Sequence, residues 1–276
     1  MERKEDLIEV IKRKLRAKLP LERRRALRDR FAEPLGLVYR RNLPRLAQIY
    51  CSDKWGQHWY CKHYQHHFAS LRRKPITLLE IGIGGWDDPR SGGSSLRMWR
   101  RFFPRGRIYG VDIADKRPHD KGRIRTFRGD QSDEKFMRSV IAETGPPDII
   151  IDDGSHLNQH VRRTFQILFP FLAENGIYAV EDTQTSYWPE YGGDSDNLTT
   201  ASTSMCLLKN LVDGVNHAEF LKPNFVPSYS DQHITAMHFY HNLVFIQKGL
   251  NDEGSTMVKN NAPAAVSSVA ETLVRT

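Results

Sequence analysis

The apolar positions of this chain come in short unbroken runs, and spans of helical period separate them. Ile76-Thr77-Leu78-Leu79-Glu80-Ile81 leads into Gly82-Ile83-Gly84-Gly85, and Ile108-Tyr109-Gly110-Val111 ends in Asp112. Ile149-Ile150-Ile151 ends in Asp152-Asp153, and Ile177-Tyr178-Ala179-Val180 ends in Glu181-Asp182. Runs that are apolar at successive rather than alternate positions are strands covered on both faces, as in parallel sheets. Arg123-Ile124-Arg125-Thr126-Phe127 reads as a shorter strand of the series. Between the runs, Ser94-Ser95 opens a helix carrying Leu96, Met98, Trp99 and Phe102-Phe103, and Ser132-Asp133 has the form of an N-cap. Residues 157–172 have helical length, with Gly176 placed where a helix end takes a left-handed residue. Residues 205–212 are helical, and residues 189–204, rich in Gly, Asp, Ser and Thr, form a loop. Two last strands, 233–240 and 243–246, meet at a tight His241-Asn242 turn. The predicted fold is α/β: a Rossmann-like sheet of parallel strands flanked by helices, closed by a C-terminal antiparallel hairpin.

Charge changes the picture at one end only. The net charge is +8, and residues 1–50, with 15 Lys and Arg against 7 Asp and Glu, carry all of it. Leu7, Ile11, Leu15 and Leu19 recur every fourth position among Lys12, Arg13, Lys14, Arg16 and Lys18, and residues 23–30 add a second basic segment. The expected organisation is a basic helical arm over 1–50, one main domain over 51–249 and a loosely held tail over 250–276. An arm of this kind suits peripheral contact with an anionic membrane through residues 4–30, or a partner subunit in a homo-oligomer; packing on its own domain explains it equally. Nucleic acid is not expected as a partner, because the basic run lacks interleaved aromatics. No apolar run reaches the roughly 18 residues of a membrane span, and no secretory signal opens the chain. Cys51, Cys61 and Cys206 have no metal-ligand spacing and are odd in number. A cytoplasmic location, with attachment at the inner membrane surface as its variant, is the expectation.

Chemistry concentrates at strand ends. Neighbouring parallel strands lie about 5 Å apart, so Asp152-Asp153 and Glu181-Asp182 would crowd the sheet edge where α/β proteins bind ligands. Carboxylates that close repel unless a cation lies between them, and a hard divalent ion, Mg2+ before Ca2+ or Mn2+, suits oxygen ligands. His156, three residues past Asp153, is near enough to serve as a base. Solvated loop acids and N-caps are the plainer explanation, and two acid pairs with a histidine outweigh it. Gly82 and Gly84 after the first strand let a ligand approach the backbone, and Asp112 stands where nucleoside-binding sheets hold ribose. Asp130-Gln131 is placed to read a base edge. Residues 51–68 hold four histidines among aromatics; zinc spacing is missing, which leaves a ligand lid or plain helix packing.

Beyond the fold, Leu79-Glu80-Ile81-Gly82, Gly93-Ser94-Ser95-Leu96-Arg97-Met98-Trp99, Ile149-Ile150-Ile151-Asp152-Asp153-Gly154-Ser155-His156, Glu181-Asp182 with Thr185-Ser186-Tyr187-Trp188, and His238-Phe239-Tyr240-His241-Asn242-Leu243-Val244-Phe245 resemble the macrolide-sugar O-methyltransferases of class I, which use S-adenosylmethionine. The likeness covers roughly residues 50–248. It implies Mg2+ held by Asp153, Glu181 and Asp182, with His156 as catalytic base. It places Glu80 and Gly82 along the methionine end of the cofactor, Asp112 at ribose, Asp130 and Gln131 at adenine, and Tyr60 and Tyr64 over it, with Ser94 and Asp153 also among the cofactor-binding residues. The implied acceptor is a hydroxyl of a sugar or glycosylated small molecule. At the N-terminus the likeness stops: those enzymes carry a larger domain where this chain has its basic arm. A nicotinamide-dependent oxidoreductase would share the glycine turn and the later acid, but not the converging acids or the hairpin. A non-catalytic protein attached through residues 1–30 would be expected to have lost some of the chemical positions.

Overall fold

The computed structural model describes residues 21–259 with 262 and 263. The expected helix over residues 4–18 and the tail beyond 263 lie outside them. The chain divides into two compact units, Met1–Gly129 and Asp130–Thr276.

The first unit opens with helix α1 (Leu21–Val38) and α2 (Leu43–Tyr50). Asn42 caps α2 by accepting from the Arg45 N–H, and Cys51 ends it in the left-handed conformation. Glu33 of α1 pairs with both Arg100 and Arg101, so the end of α1 is tied to its own unit. Helix α3 (Cys61–Phe68) buries Cys61, Tyr64 and Phe68, the spacing of one helical face. Strand β1 (Thr77–Ile81) is buried at every position. It pairs in parallel with β2 (Arg107–Asp112), and β2 with β3 (Ile124–Arg128). Helix α4 (Ser94–Phe102) lies between β1 and β2 in the chain and buries Leu96, Met98, Trp99 and Phe102. Tyr64, Phe68, Trp99 and Phe103 form one aromatic cluster, with Tyr64 and Trp99 centroids 5.1 Å apart, edge to face. Plain packing therefore accounts for the buried face of the histidine-rich segment.

The second unit carries α5 (Glu134–Thr144), β4 (Ile149–Asp152), α6 (Asn158–Leu168), β5 (Ile177–Glu181), α7 (Ser204–Val215), a short α8 (Tyr229–His233), β6 (Ile234–Tyr240) and β7 (Leu243–Lys248). Asp133 caps α5 by accepting from the Lys135 and Phe136 N–H groups. β4 and β5 are parallel, β7 runs antiparallel to β5, and β6 antiparallel to β7. Parallel strands flanked by helices and a terminal antiparallel hairpin are thus both present. Asn242 turns the hairpin with φ 61°. A two-residue ladder follows, β8 (Val258–Lys259) with β9 (Ala262–Pro263). Among the described residues no helix is long and apolar enough to cross a membrane.

Two local expectations need correction. The left-handed residue before β5 is Asn175, φ 61°, not Gly176. Gly176 is needed for space: a Cβ there would lie 2.7 Å from the Ala173 carbonyl oxygen. The expected loop over 189–204 is not open throughout: Pro189–Tyr191 is a 3-10 turn and Ser204 already begins α7, while a separate 3-10 turn, Thr183–Tyr187, follows β5 directly. Lys248 closes the 3-10 turn Phe169–Phe171 that follows α6. Its buried ammonium donates to the Pro170 and Leu172 carbonyls at 3.0 and 2.7 Å, satisfying acceptors that a helix end leaves open.

Candidate active site

The first unit supplies a glycine-rich turn after β1. Gly85 and Gly92 both take positive φ and pack backbone on backbone; a Cβ at Gly92 would fall 2.1 Å from the Gly84 carbonyl oxygen. At Gly84, φ 73°, a Cβ would meet nothing within 4 Å, so backbone there is open to approach. The loop following it is clamped by Lys116, which is 1% exposed and donates to the carbonyls of Trp86 (2.6 Å), Asp88 (2.9 Å) and Ser91 (3.4 Å). The His119 Nε2 also meets the Ser91 carbonyl, at 3.1 Å, and burial pushes its imidazole below the ordinary value. Asp112, at the end of β2, accepts from the Ile83 N–H through Oδ2 and from the Ala114 N–H through Oδ1, both at 2.9 Å. Its carboxylate is thereby fixed beside the turn. Ser94 Oγ, at the start of α4, accepts from Arg97 Nη2 at 3.1 Å.

Glu80 has no exposed surface. Its carboxylate accepts from Ser95 Oγ at 2.8 Å and faces the Lys54 ammonium at 3.4 Å. The pair joins the 51–60 segment to the end of β1, so Glu80 orders the turn from within. Tyr64 is likewise fully buried, and Tyr60 is 3% exposed with its ring stacked on His58. In this structure those two rings are packing residues of the first unit and offer almost no surface to cover a ligand.

In the second unit the strand-end acids separate. Successive residues at a strand end turn to opposite faces. Asp152 accordingly points inward and is 2% exposed, while Asp153 points out. Glu181 is buried and Asp182 is turned out. The four acids therefore do not crowd one volume as equals. One ligand atom each from Asp153, His156 and Asp182 lies within 4.8 Å of the others. His156 Nε2 is 3.6 Å from Asp182 Oδ2 and 4.0 Å from Asp153 Oδ1. Glu181, expected as a third carboxylate ligand, is outside that group, and His156 stands inside it. Two carboxylates and an imidazole are a donor set suited to a divalent cation. His156 and Asp182 both hold left-handed backbone, φ 58° and 51°, which costs a non-glycine residue roughly 1–2 kcal/mol and concentrates at functional positions.

Behind the cluster, burial raises the Asp152 carboxyl to about 7, against hydrogen bonds from Gln131 and Tyr178 and with the Asp153 charge adding to the rise. Gln131 is committed here. Its Nε2 donates to Asp152 Oδ1 (3.2 Å) and Thr164 Oγ1 (3.0 Å), and its Oε1 accepts from the Ser155 N–H (2.8 Å). The expected reading of a base edge does not suit an amide used on both sides to hold the β4–α6 turn. Asp130 is exposed, and hydrogen bonds from the N–H and hydroxyl of Ser132 hold its carboxyl below the usual range. Lys54 and Lys116 are the side chains that sequence patterns did not single out. Their partners lie more than 20 residues away, and nothing in the local pattern marks either lysine as buried.

No family model matches the chain. It is 48% identical over 215 residues to the mycinamicin VI 2''-O-methyltransferase of Micromonospora griseorubida, covering 77% of this chain and 54% of that protein. The demethylmacrocin O-methyltransferase of Streptomyces fradiae matches to the same extent. A solved structure of the MycE methyltransferase from the mycinamycin biosynthetic pathway, in complex with Mg and SAH, superposes with a TM-score of 0.78 at 46% identity, over 84% of this chain and 59% of that one. The chain spans about half the length of the curated relatives it matches. Across more than three quarters of its own length, the chain is a homologue of the sugar O-methyltransferases.

Proposed function

We propose that this protein transfers a methyl group from S-adenosylmethionine to a hydroxyl of a sugar, free or carried on a small molecule, with a divalent cation, Mg2+, at Asp153 and Asp182. The observation that carries the reading is the convergence of Asp153, His156 and Asp182 at the ends of β4 and β5, in a homologue of an enzyme solved with Mg and SAH. Glu181 is assigned to the same ion by family resemblance, and its burial makes it the least direct of the ligands. The cofactor supplies an already activated methyl group and the ion Lewis acidity toward a sugar hydroxyl, which leaves the protein to orient that hydroxyl and remove its proton. His156 Nε2 is the base: an imidazole nitrogen is a common proton acceptor in catalysis, and here it stands 3.6 Å from Asp182 Oδ2 and 4.0 Å from Asp153 Oδ1. The open backbone at Gly84, with Gly82 beside it, receives the methionine end, near Ser94. The fixed carboxylate of Asp112 accepts from ribose hydroxyls.

A second reading has its own support: His156 lies within ligand distance of both acids, so it could bind the ion. Transfer of labelled methyl from S-adenosylmethionine to a panel of deoxysugar glycosides, with Mg2+ and with EDTA, tests the activity. Transfer that needs the metal is expected; none with any glycoside, or transfer indifferent to EDTA, contradicts the proposal. Calorimetric Mg2+ titration of His156→Ala separates base from ligand, because a base can be removed with metal affinity intact.

A further inference from the structure

We infer that Asn158 is a positioning residue for the divalent-cation site, setting the distance between the arm that carries His156 and the arm that carries Asp182. The inference rests on the metal-dependent reading above and deepens it.

Asn158 is 1% exposed and begins α6, two residues beyond His156. Its amide uses all four hydrogen-bonding positions. Nδ2 donates to the carbonyls of Thr185 (3.0 Å) and Tyr191 (2.9 Å), while Oδ1 accepts from the N–H (2.6 Å) and Oγ (2.9 Å) of Ser204. Ser186 Oγ joins the knot, 2.7 Å from Ser204 Oγ and accepting from the Met205 N–H. Thr185 carries the constraint to the cluster: its N–H and Oγ1 both donate to the Asp182 carbonyl, at 3.1 and 3.0 Å. Asn158 thus links the β4–α6 turn, the 3-10 turn after β5, the 188–192 loop and the start of α7. Only an amide satisfies this arrangement, since two acceptors face one of its atoms and two donors face the other.

The side chain touches neither cluster acid, so it acts through backbone. Both cluster residues that it braces, His156 and Asp182, are in left-handed conformations, which persist only where surrounding contacts over-determine them. Loss of the knot should relax both arms and open the ligand set, while the turn after β1 and Asp112, in the other unit, keep their own hydrogen bonds. Partners that orient metal ligands typically carry about 10–100-fold in metal affinity.

The test is Mn2+ binding by electron paramagnetic resonance and S-adenosylhomocysteine binding by calorimetry, on the full chain, for wild type, Asn158→Asp, Ser204→Ala and Asp182→Ala. In Asn158→Asp a carboxylate oxygen replaces the donor facing two carbonyls. The expected result is Mn2+ binding weakened about tenfold or more, with S-adenosylhomocysteine affinity within about twofold. Ser204→Ala removes one donor and keeps the backbone one, and should weaken Mn2+ a fewfold; it decides the matter if Asn158→Asp does not fold. Wild-type Mn2+ affinity in the folded variants overturns the role of Asn158 alone. A wild type that binds no Mn2+, or binds it no better than Asp182→Ala, overturns the metal site and this inference with it.

Discussion

Replacing Asp152 by asparagine should flatten the pH dependence of stability of the metal-free protein. Asp152 is 2% exposed, and burial raises its carboxyl from about 3.8 to about 7. The folded state therefore holds this proton more tightly than the unfolded chain does. Its contribution to stability is fully present below about pH 4, is lost as pH rises toward 7, and is constant above that. Roughly three pH units at 1.36 kcal/mol each set a ceiling of about 4 kcal/mol, of which coupling to Asp153 takes a share. Asparagine keeps the shape and stays neutral. Its oxygen can still accept from Gln131 Nε2, and its amide nitrogen can donate to the Tyr178 hydroxyl, which donates to Asp152 at 3.5 Å. Urea denaturation of both proteins in EDTA, from pH 5 to 8, gives the difference free of other titrating groups. The variant should gain on wild type by about 2 kcal/mol between pH 5 and 8, and by no more than about 2.7 kcal/mol, since about two pH units of the span fall in that window. A difference that does not change between pH 5 and 8 would refute the reasoning, because it would show that Asp152 is already ionised in the folded protein.

Other consequences follow from single contacts. His156→Ala should abolish methyl transfer while S-adenosylhomocysteine still binds by calorimetry; retained turnover removes His156 from the base role. Lys54→Met takes away the ammonium 3.4 Å from buried Glu80 and should cost about 3–5 kcal/mol in urea denaturation. Adding Glu80→Gln should recover most of that, and coupling below about 1 kcal/mol in the double-mutant cycle would mean the pair is not a unit. Lys116→Met frees the carbonyls of Trp86, Asp88 and Ser91, so proteolysis within residues 86–91 should become faster; an unchanged cleavage rate would show that the clamp is dispensable.

The strands were legible because a buried parallel strand has few ways to be written. The Ile149-Ile150-Ile151 run and the 177–180 run both became strands with every residue or nearly every residue buried. The hairpin was legible from its His241-Asn242 turn, and the left-handed Asn242 is the residue type such a turn accepts. Adjacent acids were harder to read, since sequence shows two carboxylates side by side and the pleat sends one inward. Asp152 and Glu181 went to the interior, and Asp153 and Asp182 to the cluster. Side chains whose partners are backbone groups far along the chain left no pattern at all. Lys116 and Lys248 hold carbonyls, Gln131 holds a turn and Asn158 holds three segments, and each looks like an ordinary polar residue until the fold brings its partners in. Tyr60 and Tyr64 show the converse: aromatics in a histidine-rich segment suggested a cover for a ligand, and helical spacing with Phe68 put Tyr64 in the core.

The central claim, a metal-dependent methyltransferase built on these residues, is tested most directly by calorimetric titration of S-adenosylhomocysteine into the purified protein, with Mg2+ and with EDTA, and with NAD as the parallel titrant. Micromolar binding of S-adenosylhomocysteine and none of NAD is the expected result. NAD binding in its place would contradict the claim in favour of an oxidoreductase, and no binding of either would leave a fold without its cofactor chemistry.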